Sequence, residues 1–221
     1  MAARVTGIER PVKIAAGNRT LGGILRVPRA PVGVVAFAHG SGSGRYSPRN
    51  QFVARLLEED HIATLLLDLL DEEEADDRRK VFDIELLSER LRIAAEWLRH
   101  EPATRSLRLG YFGASTGAGA ALVAAARDPS HVHAVVSRGG RPDLAGSFLG
   151  AVRAPTLLIV GGADEVVIEL NEEALGKLRC TKQIVVVPGA THLFEEPGAL
   201  EVVALLARDW FLRYFPTGAS A

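Results

Sequence analysis

The stretch Tyr111-Phe112-Gly113-Ala114-Ser115-Thr116-Gly117-Ala118-Gly119-Ala120 decides how the rest of the chain is read. Leu107, Leu109, Tyr111 and Phe112 supply the apolar run of a short buried strand, and Thr116 to Ala126 consists almost wholly of small helix formers. Between them, Gly113-Ala114-Ser115-Thr116-Gly117 has the form Gly-x-Ser-x-Gly. In a tight strand-to-helix turn a side chain on either flank clashes, so both flanks are glycine. The serine is then held, strained, with its hydroxyl over the sheet edge. The pattern alone is a weak signal, because its residues are common. The strand before it and the helix after it give it weight.

Working outward, strands alternate with helices. Val12 to Ala15 and Leu21 to Val27 flank Gly17-Asn18-Arg19, whose Gly-Asn supplies the positive φ angles of a hairpin. Val32 to Ala38 is an unbroken apolar run, as in a strand buried on both faces. Ser47-Pro48 reads as an N-cap and first helical residue, with Phe52, Val53, Leu56 and Leu57 at helical spacing behind it. Ile62 to Leu67 is the next strand, ending at Asp68. Asp71 to Lys80 is a charge run of both signs, expected to be a solvated loop, although its place after a strand allows it the rim of a site. Ile84, Leu87, Leu91, Ala94, Ala95 and Leu98 trace one face of a long helix stopped by Pro102. Val132 to Val136, Thr156 to Val160 and Gln183 to Val187 are further strands, Asn171 to Leu178 carries a short helical pattern, and Pro197 opens a final helix.

This order predicts one α/β domain over residues 1–221, a mostly parallel sheet of about eight strands with helices on both faces. Hydrophobic residues at 48% and charged residues at 24% fit an ordinary globular chain, and a net charge of −1 gives no electrostatic footprint for nucleic acid or an anionic membrane. Cys180 is the only cysteine, so no intrachain disulfide forms. Met1 to Lys13 lacks the apolar run of a secretory signal and no stretch reaches the length of a membrane span, so the expected location is cytoplasmic.

In such sheets functional residues collect at the carboxyl ends of strands. Ser41, Asp68, Ser115, Arg138, Asp164 and His192 all follow strands. A serine hydroxyl needs a base. Of the six histidines, His192 lies just after the last strand among Gly189, Ala190 and Thr191, whereas His39 reads as a structural residue holding the loop behind it. Asp164, reached through Gly161-Gly162-Ala163, is placed to orient His192, with Glu165 and Asp143 as fallback acids. The order Ser115, Asp164, His192 is Ser…Asp…His. His39-Gly40-Ser41-Gly42-Ser43-Gly44 has neither the spacing nor the lysine of a phosphate loop, which leaves a flexible connection or an oxyanion hole. No cluster has metal-ligand spacing, so neither a metal nor another cofactor is expected.

Leu109 to Gly117, Ile-Val-Gly-Gly-Ala-Asp-Glu at 159–165, Pro-Gly-Ala-Thr-His-Leu-Phe at 188–194 and the run from His39 to Gln51 together resemble the dienelactone hydrolase family of the α/β-hydrolase fold. The resemblance covers Val32 to Phe211. Dienelactone hydrolase itself uses a cysteine nucleophile, so Ser115 points instead to a carboxylesterase-like branch. The resemblance implies a catalytic set of Ser115, His192 and Asp164 and an oxyanion hole from the backbone N–H groups of Thr116 and Ser41, with Gly42 as substitute. The gap between Ser137 and Thr156 is too short for a cap domain, which predicts an open, fairly shallow site for small soluble esters or lactones. Arg138 either binds a substrate carboxylate or pairs with Asp68 or Asp143. An acyltransferase or perhydrolase with the same triad, and a non-catalytic small-molecule binder, are the rival functions.

Overall fold

In the computed structural model, which describes residues 7–215, eight strands form one sheet in the order β1-β2-β4-β3-β5-β6-β7-β8. The hairpin of β1 (Ile8–Ala16) and β2 (Arg19–Val27) turns on Gly17 at φ +65° and Asn18. β2 is antiparallel to β4 (Ile62–Leu67), and from there through β3 (Gly33–Ala38), β5 (Leu109–Ala114), β6 (Val132–Arg138), β7 (Thr156–Gly161) and β8 (Lys182–Val187) every pairing is parallel.

The unbroken apolar run of β3 follows from its central place. Val34, Ala36 and Ala38 enter the core on one face, Val35 and Phe37 the core on the other. The first core is closed by α4 (Ile84–His100), α5 (Thr116–Arg127) and α6 (Glu165–Lys177), the second by α1 (Pro48–Glu59) and α7 (Ala199–Tyr214). Ser47 caps α1 as expected, its hydroxyl accepting from Asn50 N–H. α6 begins earlier than the apolar spacing alone indicated, directly after Asp164. Between β6 and β7 stands only a short 3-10 segment, Pro142–Ala151, so no cap covers the strand ends.

Asp71 to Lys80 is mostly exposed, Glu74 apart, but it is not a loop. It folds into two short helices, α2 (Glu72–Ala75) and α3 (Arg78–Val81), each capped by an aspartate side chain, Asp71 on Glu74 N–H and Asp77 on Arg79 N–H. What holds them down is a buried ion pair. Glu74 meets the guanidinium of Arg90 of α4 at 3.3 Å, and the same guanidinium donates to the Ala16 carbonyl at the end of β1 at 2.9 Å. Removing Arg90 leaves the buried Glu74 carboxylate with only the half-exposed Lys80 ammonium, 3.3 Å away, as an ionic partner. Arg90→Ala is therefore expected to lower the unfolding free energy by about 3 kcal/mol, read as a reduced urea midpoint at an unchanged slope.

Candidate active site

The chain leads from β3 to β4 on one side and from β5 to β6 on the other, so the loops after β3 and β5 diverge from one crevice at the carboxyl end of the sheet. Ser115 stands there between β5 and α5 at φ +50°, a left-handed conformation unfavourable for a residue with a Cβ. Its neighbours explain how the turn is tolerated. A Cβ on Gly113 would lie 2.5 Å from the Ala118 Cα, and one on Gly117 would lie 2.2 Å from the Ala38 carbonyl oxygen. The start of α5 thus rests directly on the end of β3. Thr116 is the first residue of that helix, where a backbone N–H has no carbonyl one turn earlier to receive it.

Opposite stands the glycine loop. A Cβ on Gly40 would be 2.9 Å from the Ser115 Cβ and 3.7 Å from its Oγ, so the loop passes hard against the serine. His39 anchors it. Nδ1 bonds to the Gly40 carbonyl at 2.9 Å, and Nε2 accepts from Leu69 N–H at 3.0 Å, which fixes the Nδ1–H tautomer. Burial pushes the His39 pKa down, keeping the ring neutral. The other end of the loop is fixed by Asp68, which accepts from Arg45 N–H at 2.6 Å and also pairs with the Arg45 guanidinium. His39 therefore has the structural role that its position before the loop indicated.

Asp164 occupies the N-cap of α6 yet makes no capping bond. Its carboxylate is turned onto His192, with Oδ2 2.7 Å from Nδ1. A carboxylate only accepts, so Nδ1 carries the proton and Nε2 is left as the acceptor. The His192 loop lies over Gly139, where a Cβ would meet the His192 carbonyl at 2.9 Å and Nδ1 at 3.6 Å. Ser115 N–H in turn donates to the Arg138 carbonyl at 3.3 Å. Buried Asn171 of α6 holds the same segment by donating to the Gly140 carbonyl at 3.0 Å. Ser115 and His192 thus flank the Arg138–Gly139 backbone. Among the described residues no hydrogen bond joins the Ser115 hydroxyl to His192, a looseness common in unliganded sites.

Arg138 pairs with neither expected acid. Asp68 is taken by Arg45 and Asp143 by Arg141. Arg138 is 7% exposed, its Nε has no hydrogen-bond partner, and its guanidinium sits 6.0 Å from the Phe194 ring centroid in the His192 loop. Desolvation, with Arg49 nearby, pushes its pKa down to about 10. No cluster of three or more histidine, cysteine, aspartate or glutamate side chains able to hold a metal occurs among the described residues. No helix among them is long and apolar enough to cross a membrane.

Beside the glycine loop lies a cavity of about 510 Å³. Gly40, Ser41 and Thr116 border it, and Leu70, Ala75, Val81 and Leu87 give it apolar surface. Ser41 and Thr116, the two expected oxyanion donors, and Gly42 all line this cavity. Leu87 reads in the sequence only as part of a helix face, and Leu70, Ala75 and Val81 give no signal there, because the four come together only once α2 and α3 fold back onto α4. The sole hint was the place of the charge run after a strand.

The sequence model of the dienelactone hydrolase family matches residues 54–213. The chain belongs to this family. Its similarity to the crystal structure of a dienelactone hydrolase from Anabaena variabilis ATCC 29413 is 57% identity, with 94% of this chain and 98% of that one covered at a TM-score of 0.91. Est1E from Butyrivibrio proteoclasticus matches at 16% identity over 92% of this chain and 98% of its own, with a TM-score of 0.79, which is a likeness of fold alone. A Mycobacterium tuberculosis protein named "Putative phosphoribosyl transferase" is 60% identical over 204 residues. That match takes in 92% of this chain but 46% of the relative, so this chain spans about half the relative's length.

The close approach at the serine turn gives a direct test. Gly117→Ala is expected to destabilise the fold by about 1–3 kcal/mol and to slow modification of Ser115 by a fluorophosphonate at least tenfold, measured by intact mass. Gly176→Ala, in α6 with nothing within 4 Å of the added carbon, serves as the control and is expected to be neutral or slightly stabilising.

Proposed function

We propose that this family member is a serine hydrolase of carboxylic esters or lactones, acting through an acyl-serine. The observation that carries the reading is the 2.7 Å bond between Asp164 and His192 at the sheet edge where Ser115 holds a left-handed backbone. Such a pair gives an imidazole a defined tautomer and stabilises the imidazolium that forms during attack.

In this mechanism the Ser115 Oγ attacks the acyl carbon while its proton passes to His192 Nε2. The carbonyl oxygen becomes an oxyanion facing the N–H groups of Thr116 and Ser41. The bond to the leaving oxygen then breaks, and that oxygen takes the proton from His192. Water attacks the acyl-serine next, giving its proton to His192, and collapse returns the proton to Ser115 and releases the acid. Each oxyanion donor is worth ~3–4 kcal/mol of transition-state stabilisation in hydrolases of this kind. No step requires a metal or an organic cofactor, and the partner is a small-molecule substrate. The transferase name of the longer relative describes a protein of which this chain matches less than half, and it is not carried to this site.

Arg138 has a secondary place in the reading. A cation without a carboxylate partner, close beneath the His192 loop, suits an anionic group on the substrate.

Ser115→Ala is expected to lower turnover of an activated ester by about 10⁴-fold or more while the circular dichroism spectrum and unfolding midpoint stay near those of the parent. His192→Ala is expected to be nearly as damaging, since the triad acts as a unit. Retained esterase activity in Ser115→Ala would refute the mechanism. Arg138→Gln is expected to raise KM about tenfold more for an ester bearing a free carboxylate than for its neutral analogue. An equal change for both would remove Arg138 from substrate recognition.

A further inference from the structure

We infer that the cavity beside the glycine loop is the acyl pocket, and that it selects esters with an apolar acyl group of roughly six to ten carbons or an aromatic equivalent, a size suited to a cavity in this range. The inference rests on the serine-hydrolase reading above and adds the substrate class.

The position of His192 decides which half of the ester enters. The leaving oxygen must receive a proton from His192, so it lies on the His192 side of Ser115. That side is set by the contact of His192 with Gly139, just beyond β6. The cavity lies on the opposite side of β5. Its walls come from the hairpin, from the loops after β3 and β4, and from α2 through α4. With the oxyanion directed at Thr116 and Ser41, and the leaving oxygen at His192, the acyl substituent is directed into the cavity.

The lining decides what kind of acyl group fits. Its volume is about 510 Å³, and Leu70, Ala75, Val81 and Leu87 give it apolar surface, while its charged lining residues are Lys13, Asp71, Glu72 and the mutually paired Arg45 and Asp68. An acetyl group leaves most of that apolar surface in water, whereas a longer chain covers it. Each methylene buried there strengthens binding about fourfold. The outer wall is the α2–α3 segment, fixed by the Glu74–Arg90 pair to both α4 and the end of β1. Selectivity for the acyl group is thus built into the segment that reads in sequence as a plain charge run.

The test uses the full chain and p-nitrophenyl acetate, butanoate, hexanoate, octanoate and 3-phenylpropanoate. We expect kcat/KM to rise about tenfold or more from acetate to hexanoate. Ala75→Trp, at an exposed position on the cavity wall, is expected to cut the hexanoate-to-acetate ratio of kcat/KM at least tenfold. Val81→Phe fills the cavity from the neighbouring wall and repeats the test if Ala75→Trp fails to fold. A series that is fastest with acetate and falls with each added carbon would overturn the pocket. So would a ratio unchanged in a folded cavity-filling variant. Labelling of Ser115 by a fluorophosphonate, run in parallel, separates the two levels. Labelling and hydrolysis without chain-length preference overturn the pocket alone, whereas no hydrolysis and no adduct overturn the serine-hydrolase reading together with it.

Discussion

The absence of two side chains, at Gly113 and Gly117, is the constraint on which the site depends. With those carbons missing, the first turn of α5 sits on the end of β3 and against the turn itself, and Ser115 is forced into a conformation that its own Cβ disfavours. The cost is carried by packing elsewhere: from Thr116 to Ala125 every residue of α5 is buried. A helix made of alanine and glycine is a poor surface helix but a good central one, because it lets neighbouring elements approach closely. The same closeness sets Thr116, the first residue of α5, and Gly40 of the glycine loop beside Ser115.

Two histidines near that serine differ because their surroundings differ. His39 is buried, accepts from Leu69 N–H and is held neutral by desolvation, so it serves as a fixed strut between the loops after β3 and β4. His192 lies on a partly exposed loop and faces the Asp164 carboxylate across 2.7 Å, which fixes its Nδ1–H tautomer and leaves Nε2 unpaired. Asp164 makes the difference by spending its carboxylate on His192 instead of on its own helix. Beside the His192 loop stands Arg138, a buried cation whose neighbour Arg49 only adds repulsion. Its isolation is unusual, because burying an unpaired charge costs several kcal/mol, and it gives this side of the site a field suited to anions.

Family membership and mechanism stand on different grounds. The match over residues 54–213 and the 57% identity to a dienelactone hydrolase of known structure place the chain in its family. A fold shared with Est1E at 16% identity carries no substrate with it. Chemistry has to come from the site itself, which holds a serine at the turn and keeps its single cysteine, Cys180, far along the chain after α6.

Much of this was legible in the sequence because it depends on local rules. Gly-x-Ser-x-Gly between an apolar strand and a small-residue helix specifies the turn, alternation of strands and helices specifies a parallel sheet, and position after a strand brings Ser115, Asp164 and His192 to one edge. The hairpin at Gly17-Asn18 and the cap at Ser47 were equally local. What the tertiary structure alone decided was everything that needs two distant segments to meet. Whether Arg138 finds Asp68 or Asp143 depends on Arg45 and Arg141 reaching those acids first. Whether Asp71 to Lys80 is a loose loop or a pair of helices walling a cavity depends on Glu74 meeting Arg90, sixteen residues away on another helix. Periodicity records which face of an element is apolar, not which charged groups on different elements will be brought together out of water. For that reason the sheet edge that gathers Ser115, Asp164 and His192 could be read from the chain, and the pocket beside it could not.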